Sequence, residues 1–150
     1  MKKLLLVILS IIMLTGTAMA QGGLISVKSS HDVATTVSRL ESALMEKGIT
    51  VFARIDHAQG AQRIGQVLNP TVLIIFGNPA LGTPLIQRSR TIGIDLPLKA
   101  LIWEDRAGDV WFTYNSPDYL VRRHGITEMD DLVQKMETAL SNFAMAATQP

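Results

Sequence analysis

The chain has 150 residues, of which 14 are Lys or Arg and 13 are Asp or Glu, with 47% apolar residues and no cysteine. This length suits a single domain with one continuous core. A charged fraction of 18% argues against a disordered chain or a nucleic-acid-binding tail. The lack of cysteine excludes a disulfide scaffold, a thiol nucleophile and thiolate metal sites.

The first 20 residues are distinct from the rest. Lys2 and Lys3 precede an apolar run from Leu4 to Leu14, and Ala18-Met19-Ala20 follows. This is the charged, apolar and small-residue order of a secretory signal peptide, with cleavage expected after Ala20. The apolar run is too short to span a bilayer, which takes roughly 20 residues. The expected organisation is therefore a signal peptide over 1–20 and one domain over 21–150, placed in the periplasm or secreted, with no membrane anchor after cleavage. The leader takes two of the 14 basic residues and no acid, so the remaining 130 residues carry 12 basic and 13 acidic groups. Its formal charge of −1 and scattered arginines give no surface for a phosphate backbone, and no nucleic-acid partner is expected.

In chain order, Leu24 to Val27 is a short β-prone run. A helix follows from about Asp32 to Lys47, capped by Ser29 or Ser30 and stopped by Gly48, with Val33, Val37, Leu40 and Leu44 on one stripe. From Ile49 to Ile55 the pattern alternates, with Ile49, Val51, Ala53 and Ile55 on one face. Asp56-His57 then opens a short helix running to about Leu68, before Asn69-Pro70. Thr71 to Phe76 is wholly apolar after its first residue and reads as a central strand covered on both faces. Gly77 to Pro84 reads as a stiff connection into a helix capped at Thr83 and running over Leu85 to about Arg90. Leu98 to Trp103 and Val110 to Tyr114 form a hairpin around Gly108. A short helix over Asp118 to Arg123 ends at His124-Gly125. The last helix is capped at Thr127, and its apolar stripe, from Met129 through Met136 and Leu140 to Phe143, calls for a partner surface.

The chemistry-bearing motifs are sparse. The loop from Gly77 to Pro84 lacks the lysine and hydroxyl of a phosphate-binding loop, and its prolines remove amide donors, although a helix N-terminus at Thr83 can hold a small anion. There is no G-x-S-x-G nucleophile elbow, and His31, His57 and His124 show no metal-ligand spacing, so no metal site is expected. His57 follows Asp56 where a strand becomes a helix, a place where ligands collect in α/β arrangements. Its imidazole can act as general base, donor or ligand with a carboxylate fixing its tautomer, or it can be a structural group bonded to a carbonyl. Glu104-Asp105 end a strand beside Trp111 and Tyr114, and either meet His57 or solvate a turn.

Six short segments in order carry a resemblance: IDHA (Ile55 to Ala58), FGNP (Phe76 to Pro79), GTPL (Gly82 to Leu85), DLPL (Asp95 to Leu98), WED (Trp103 to Asp105) and RHG (Arg123 to Gly125). The chain resembles the domain of unknown function family 302 from about Leu24 to Ala144. The resemblance implies an α+β fold with a mixed sheet of about five strands flanked by helices, in a homodimer whose C-terminal helices are packed or swapped across the interface. The positions matching its pattern include Asp56, His57, Phe76, Asn78, Pro79, Leu96, Pro97, Trp103, Glu104 and His124, and no catalytic role or cofactor comes with them. The candidate ligand-binding residues are Asp56, His57, Asn78, Trp103, Glu104 and His124. Three functions remain: a small-ligand-binding or accessory domain with a pocket around His57, an enzyme using His57 with Glu104 or Asp56 as acid and base, and a pure interaction module.

Overall fold

The computed structural model describes residues 19–150, so the leader expected over residues 1–20 lies outside the described residues except for its last two positions. Strand β1 (Met19–Gln21) pairs with β2 (Leu24–Lys28) around Gly22 and Gly23, both with positive φ. Cleavage after Ala20 would remove two of the three residues of β1 and leave the other strands intact. Helix α1 (Val33–Glu46) is capped by the Asp32 carboxylate, which accepts from Thr35 N at 2.7 Å, and it ends before Gly48 at φ +65°. The stripe Val33, Val37, Leu40 and Leu44 is buried as its spacing requires, each side chain contributing about 1.5–3 kcal/mol of hydrophobic stabilisation.

Strand β3 (Thr50–Asp56) leads into α2 (His57–Arg63), which stops at Arg63, well before Leu68. Strand β4 (Thr71–Gly77) is followed by α3 (Pro79–Arg88) and a 3-10 turn over Arg90–Ile94. Strands β5 (Leu98–Glu104) and β6 (Val110–Asn115) form the expected hairpin, and α4 (Pro117–Arg123) and α5 (Asp130–Thr148) complete the chain.

The sheet order is β1-β2-β6-β5-β4-β3, and every pairing is antiparallel, which corrects the expected mixed sheet. Long connections do not produce parallel neighbours here. The stretch from β4 to β5 turns back at the end of the sheet, and α1 carries the chain from β2 near one edge to β3 at the other.

Val72, Ile74 and Phe76 of β4, Ala100 and Ile102 of β5, and Phe112 and Tyr114 of β6 are buried against α1 and α5. The stripe expected to need a partner is covered by the chain itself: Leu140, Phe143 and Ala144 join this core, while Val133 and Met136 join Leu85, Ile92, Leu120 and Val121 in a second cluster. Strand β4 is not covered on both faces, because only alternate residues are buried. On its other face Leu73 and Ile75, with Leu101 and Trp103 of β5 and Trp111 of β6, stay half-buried, and no helix of the described residues lies over them.

Candidate functional site

The six candidate residues fall at opposite ends of the sheet. Asp56 ends β3 opposite Val72, and Trp103 pairs with Thr71, so Asp56, His57, Trp103 and Glu104 share one end. Asn78 follows β4 at the other end, where His124 also lies, separated from the first group by seven-residue β4, or about 20 Å at the usual rise per residue.

At the first end, the Asp56 carboxylate caps α2 by accepting from Gln59 N at 2.8 Å. His57 is exposed on the first turn of that helix. Asp56 lines an open depression with Gln59, Gln62 and Leu68, while Trp103 and Glu104 line an adjoining one with Asn69 and Asp105 that shares Val67 and Leu68. The Trp103 indole donates to Thr113 Oγ1 at 2.9 Å, and that of Trp111 donates to Asp105 Oδ2 at 2.9 Å. Both indole N–H groups are thus turned to the protein, leaving apolar ring surface outward. The Trp111 indole and the backbone N–H of Asp109 hold the Asp105 carboxyl below its ordinary value.

At the second end, His124 caps the C-terminus of α4 and is nearly buried, its side chain 8% exposed. Its Nε2 lies 2.6 Å from Asp95 Oδ2, and its Nδ1 lies 2.9 Å from Thr91 Oγ1. With the neutral tautomer protonated at Nε2, the ring donates to Asp95 and accepts from the Thr91 hydroxyl. Arg123 donates to Asp95 Oδ1 at 3.2 Å, and the Asp95 backbone carbonyl accepts from Lys99 Nζ. Burial lowers the pKa of that lysine, and the Asp95 carboxylate partly opposes the shift. The cluster fastens the segment between the 3-10 turn and β5 to the end of α4.

The same segment walls a cavity of about 240 Å³ lined by Phe52, Gly77, Asn78, Pro79, Leu81, Gly82, Thr83, Ile86, Leu96, Pro97, Leu98 and Met136. Its floor is built by a β-bulge. The β3–β4 register slips between Val51 and Ala53, so Val51 pairs with Phe76 and Ala53 with Ile75, leaving Phe52 as the extra residue. The expected single face of Ile49, Val51, Ala53 and Ile55 is therefore split, with Val51 on the helix side and Ala53 and Ile55 on the bare side. Phe52 stands beside Gly77, where an added Cβ would lie 3.6 Å from its Cε2 and 3.3 Å from Pro97 Cβ.

Asn78 is exposed at the edge of the lining, with its Oδ1 accepting from Ala80 N at 2.9 Å and making it the N-cap of α3. This helix begins at Pro79, so Thr83 lies inside it, correcting the expected cap; Asn-Pro here is a cap followed by a first-turn proline. Phe52, Asp95, Leu96 and Gly82 are the site residues that spacing along the chain missed. Of these, Asp95 and Leu96 lie in the segment DLPL and Gly82 in GTPL, both among the six that carry the resemblance, and Phe52 lies in none of them.

A model of the family described as domain of unknown function DUF302 matches residues 25–143. The chain belongs to this family. A DUF302 protein of solved structure, the uncharacterized conserved protein from Bacillus stearothermophilus, superposes with a TM-score of 0.75 at 20% identity, over 85% of this chain and 99% of that one, and supports the fold. Two curated relatives, each named Fluoride-specific ion channel FluC 1, come from Brucella suis biovar 1 (strain 1330) and Brucella abortus biovar 1 (strain 9-941). Each is 49% identical over 113 residues, 75% of this chain, but the match covers 44% and 42% of the two relatives. This DUF302 chain thus spans less than half the length of the curated relatives it matches. Among its described residues, no helix is long and apolar enough to cross a membrane.

Proposed function

We propose that this DUF302 protein is an exported accessory domain that holds a small ligand in the cavity between β4, α3 and β5. The observation that carries the reading is the cavity itself, an apolar space whose lining also includes the polar side chains of Asn78 and Thr83, which is the usual character of a small-molecule site. Export rests on the leader pattern over residues 1–20. The accessory role is supported by the Brucella relatives, in which a segment like this one is part of a longer protein named as an ion channel. Here the equivalent domain stands behind a cleavable leader, so its work would lie beside a membrane transport protein on the far side of the membrane.

A thermal-shift screen of the mature chain tests this, with fluoride, phosphate, small carboxylates and small neutral organic compounds as probes. Binding to the folded state raises the melting temperature by mass action. At least one class is expected to do so in a manner lost when the cavity is filled by Gly82→Leu; a screen with no shift from any class overturns the reading. The enzyme alternative, His57 with Asp56 or Glu104, is less supported, because the Asp56 carboxylate is engaged by Gln59 N and His57 stands exposed.

A second proposal, that the protein is a homodimer, draws on the bare sheet face rather than on α5. Leu73, Ile75, Leu101, Trp103 and Trp111 make a continuous apolar surface across three strands. At about 4.8 Å per strand and about 20 Å of strand length, the three strands present on the order of 300 Å² in projection, so reaching the roughly 800 Å² per partner of a stable interface would also take the flanking strands and side-chain relief. Leu101→Lys is expected to convert a dimer to monomer in sedimentation without changing far-UV circular dichroism. A wild-type chain that sediments as a monomer at high concentration removes this proposal.

A further inference from the structure

We infer that the β4–α3 cavity takes a neutral ligand: a compact apolar body of about ten non-hydrogen atoms with one hydrogen-bond acceptor directed at Asn78. This deepens the proposed ligand-binding function and rests on it. Three observations select the class.

The first is charge. No lining residue carries a charged side chain, and the only polar side chains among them are Asn78 and Thr83. A charged ligand would give up its hydration with nothing to replace it. Nor does the N-terminus of α3 offer an anion site. Pro79 has no N–H, Ala80 N donates to Asn78 Oδ1, and Leu81 N and Gly82 N both donate to Asn78 O at 3.0 and 3.1 Å. Every donor that a helix start would present to an anion is already spent.

The second is size. An apolar cavity of about 150 Å³ accommodates benzene. In proportion, 240 Å³ suits a body somewhat larger than one six-membered ring, and falls short of the pockets that hold drug-sized molecules.

The third is construction. The bulge in β3 sets Phe52 out of register and brings it to the wall, and bulges commonly re-aim side chains at sites. Gly77 and Gly82 leave the space open, a Cβ at Gly82 reaching to 3.8 Å from Leu96 Cδ1. Asn78 is exposed and uses its oxygen as the helix cap, while its amide nitrogen, open to solvent at the edge of the cavity, makes no hydrogen bond to the described residues. That nitrogen is the donor for the ligand's acceptor oxygen.

Acetophenone and benzoate test the class, because they have the same size and differ in charge. Acetophenone is expected to raise the melting temperature and to shift the Met136 methyl signal in NMR spectra, while benzoate at equal concentration does neither. Gly82→Leu should abolish both effects of acetophenone. If that variant fails to fold, Gly82→Ala supplies the test and should bind about tenfold more weakly, as one added methyl in a small apolar pocket implies. Asn78→Asp retains a good cap but exchanges the amide donor for a carboxylate, so acetophenone binding should fall while the fold keeps its melting temperature.

Binding of benzoate or fluoride in place of acetophenone, with the Met136 methyl responding, overturns the neutral class and leaves the cavity as a ligand site. Acetophenone binding that Gly82→Leu leaves intact places the ligand elsewhere and overturns the inference. No response to any probe removes the ligand-binding function along with it.

Discussion

The contact between His124 and Asp95 offers a quantitative check on how the cavity wall is held. Their side chains are 8% and 13% exposed, and the 2.6 Å contact is short for an N–O hydrogen bond, as charge assistance produces. A hydrogen bond to a charged group contributes about 1.5–3 kcal/mol. Arg123, 50% exposed at 3.2 Å, adds little because water screens it. His124→Ala also leaves the Thr91 hydroxyl without the imidazole acceptor. The substitution is thus expected to cost about 2 kcal/mol, lowering the melting temperature by roughly 4–8 °C for a domain of this size. Urea denaturation of wild type, His124→Ala, Asp95→Asn and the double variant closes a thermodynamic cycle. The expected coupling is about 1–2 kcal/mol, within the range of directly contacting residues. Additive single effects, within about 0.3 kcal/mol, would show that the contact does not hold the wall.

Three further outcomes follow from individual residues. Gly82→Ala lies inside α3 and its new methyl meets Leu96 at an ordinary contact distance, so it should stabilise the fold by about 0.5–1 kcal/mol in denaturation experiments. A destabilised variant would mean that α3 does not extend over Gly82. Gly23 has φ +86°, and a Cβ there would run into the Tyr119 ring, so Gly23→Ala should cost more than about 2 kcal/mol and broaden the Tyr119 ring signals in NMR spectra. The Asp105 carboxyl titrates below its ordinary value of 3.8, so its stabilising contribution is present above that value and is lost only as pH falls through the lower folded value. In a Trp103→Phe background, Trp111 fluorescence should therefore stay constant down to about pH 4 and change below pH 3.8. A transition centred above that pH would show that the indole does not hold the carboxylate.

Much of the fold is legible where one physical rule dominates. The α1 stripe at Val33, Val37, Leu40 and Leu44 works because the whole helix lies over a single core. Strand β4 is legible as β, but its continuous apolar run misleads about its neighbours: among the described residues Leu73 and Ile75 face no helix, so the run reflects a bare apolar face rather than a second covering layer. The bulge at Phe52 carries no local marker, since an extra residue in one strand is defined only against its partner. The start of α3 is readable in principle, because Asn78-Pro79 is a cap followed by a first-turn proline, yet Pro84 within the helix points to a connection. The stripe on α5 is legible from its spacing, but which surface covers it depends on the chain folding back. The Asp95–His124 contact spans 29 positions and depends on the turn after α3 meeting the end of α4.

The split of the candidate residues bears on how the domain could serve in two settings. Asp56, His57 and Glu104, side chains with versatile chemistry, lie at one end of the sheet. The cavity at the other end is made chiefly from residues with none: two glycines, prolines, a bulged phenylalanine and a methionine. What these residues supply is shape. The bare sheet face adjoins the Asp56 end through Trp103 but lies apart from the cavity, since the outward direction of Leu73, Leu101 and Trp111 is set by strand alternation and opposes the helix layer. A domain that occupies one face with a partner and keeps its cavity at a corner of the sheet can bind protein and small molecule independently. Leu101→Lys should then abolish association without altering acetophenone binding, and Gly82→Leu should do the reverse. Loss of both functions in either variant would mean that the cavity exists only within the assembled protein.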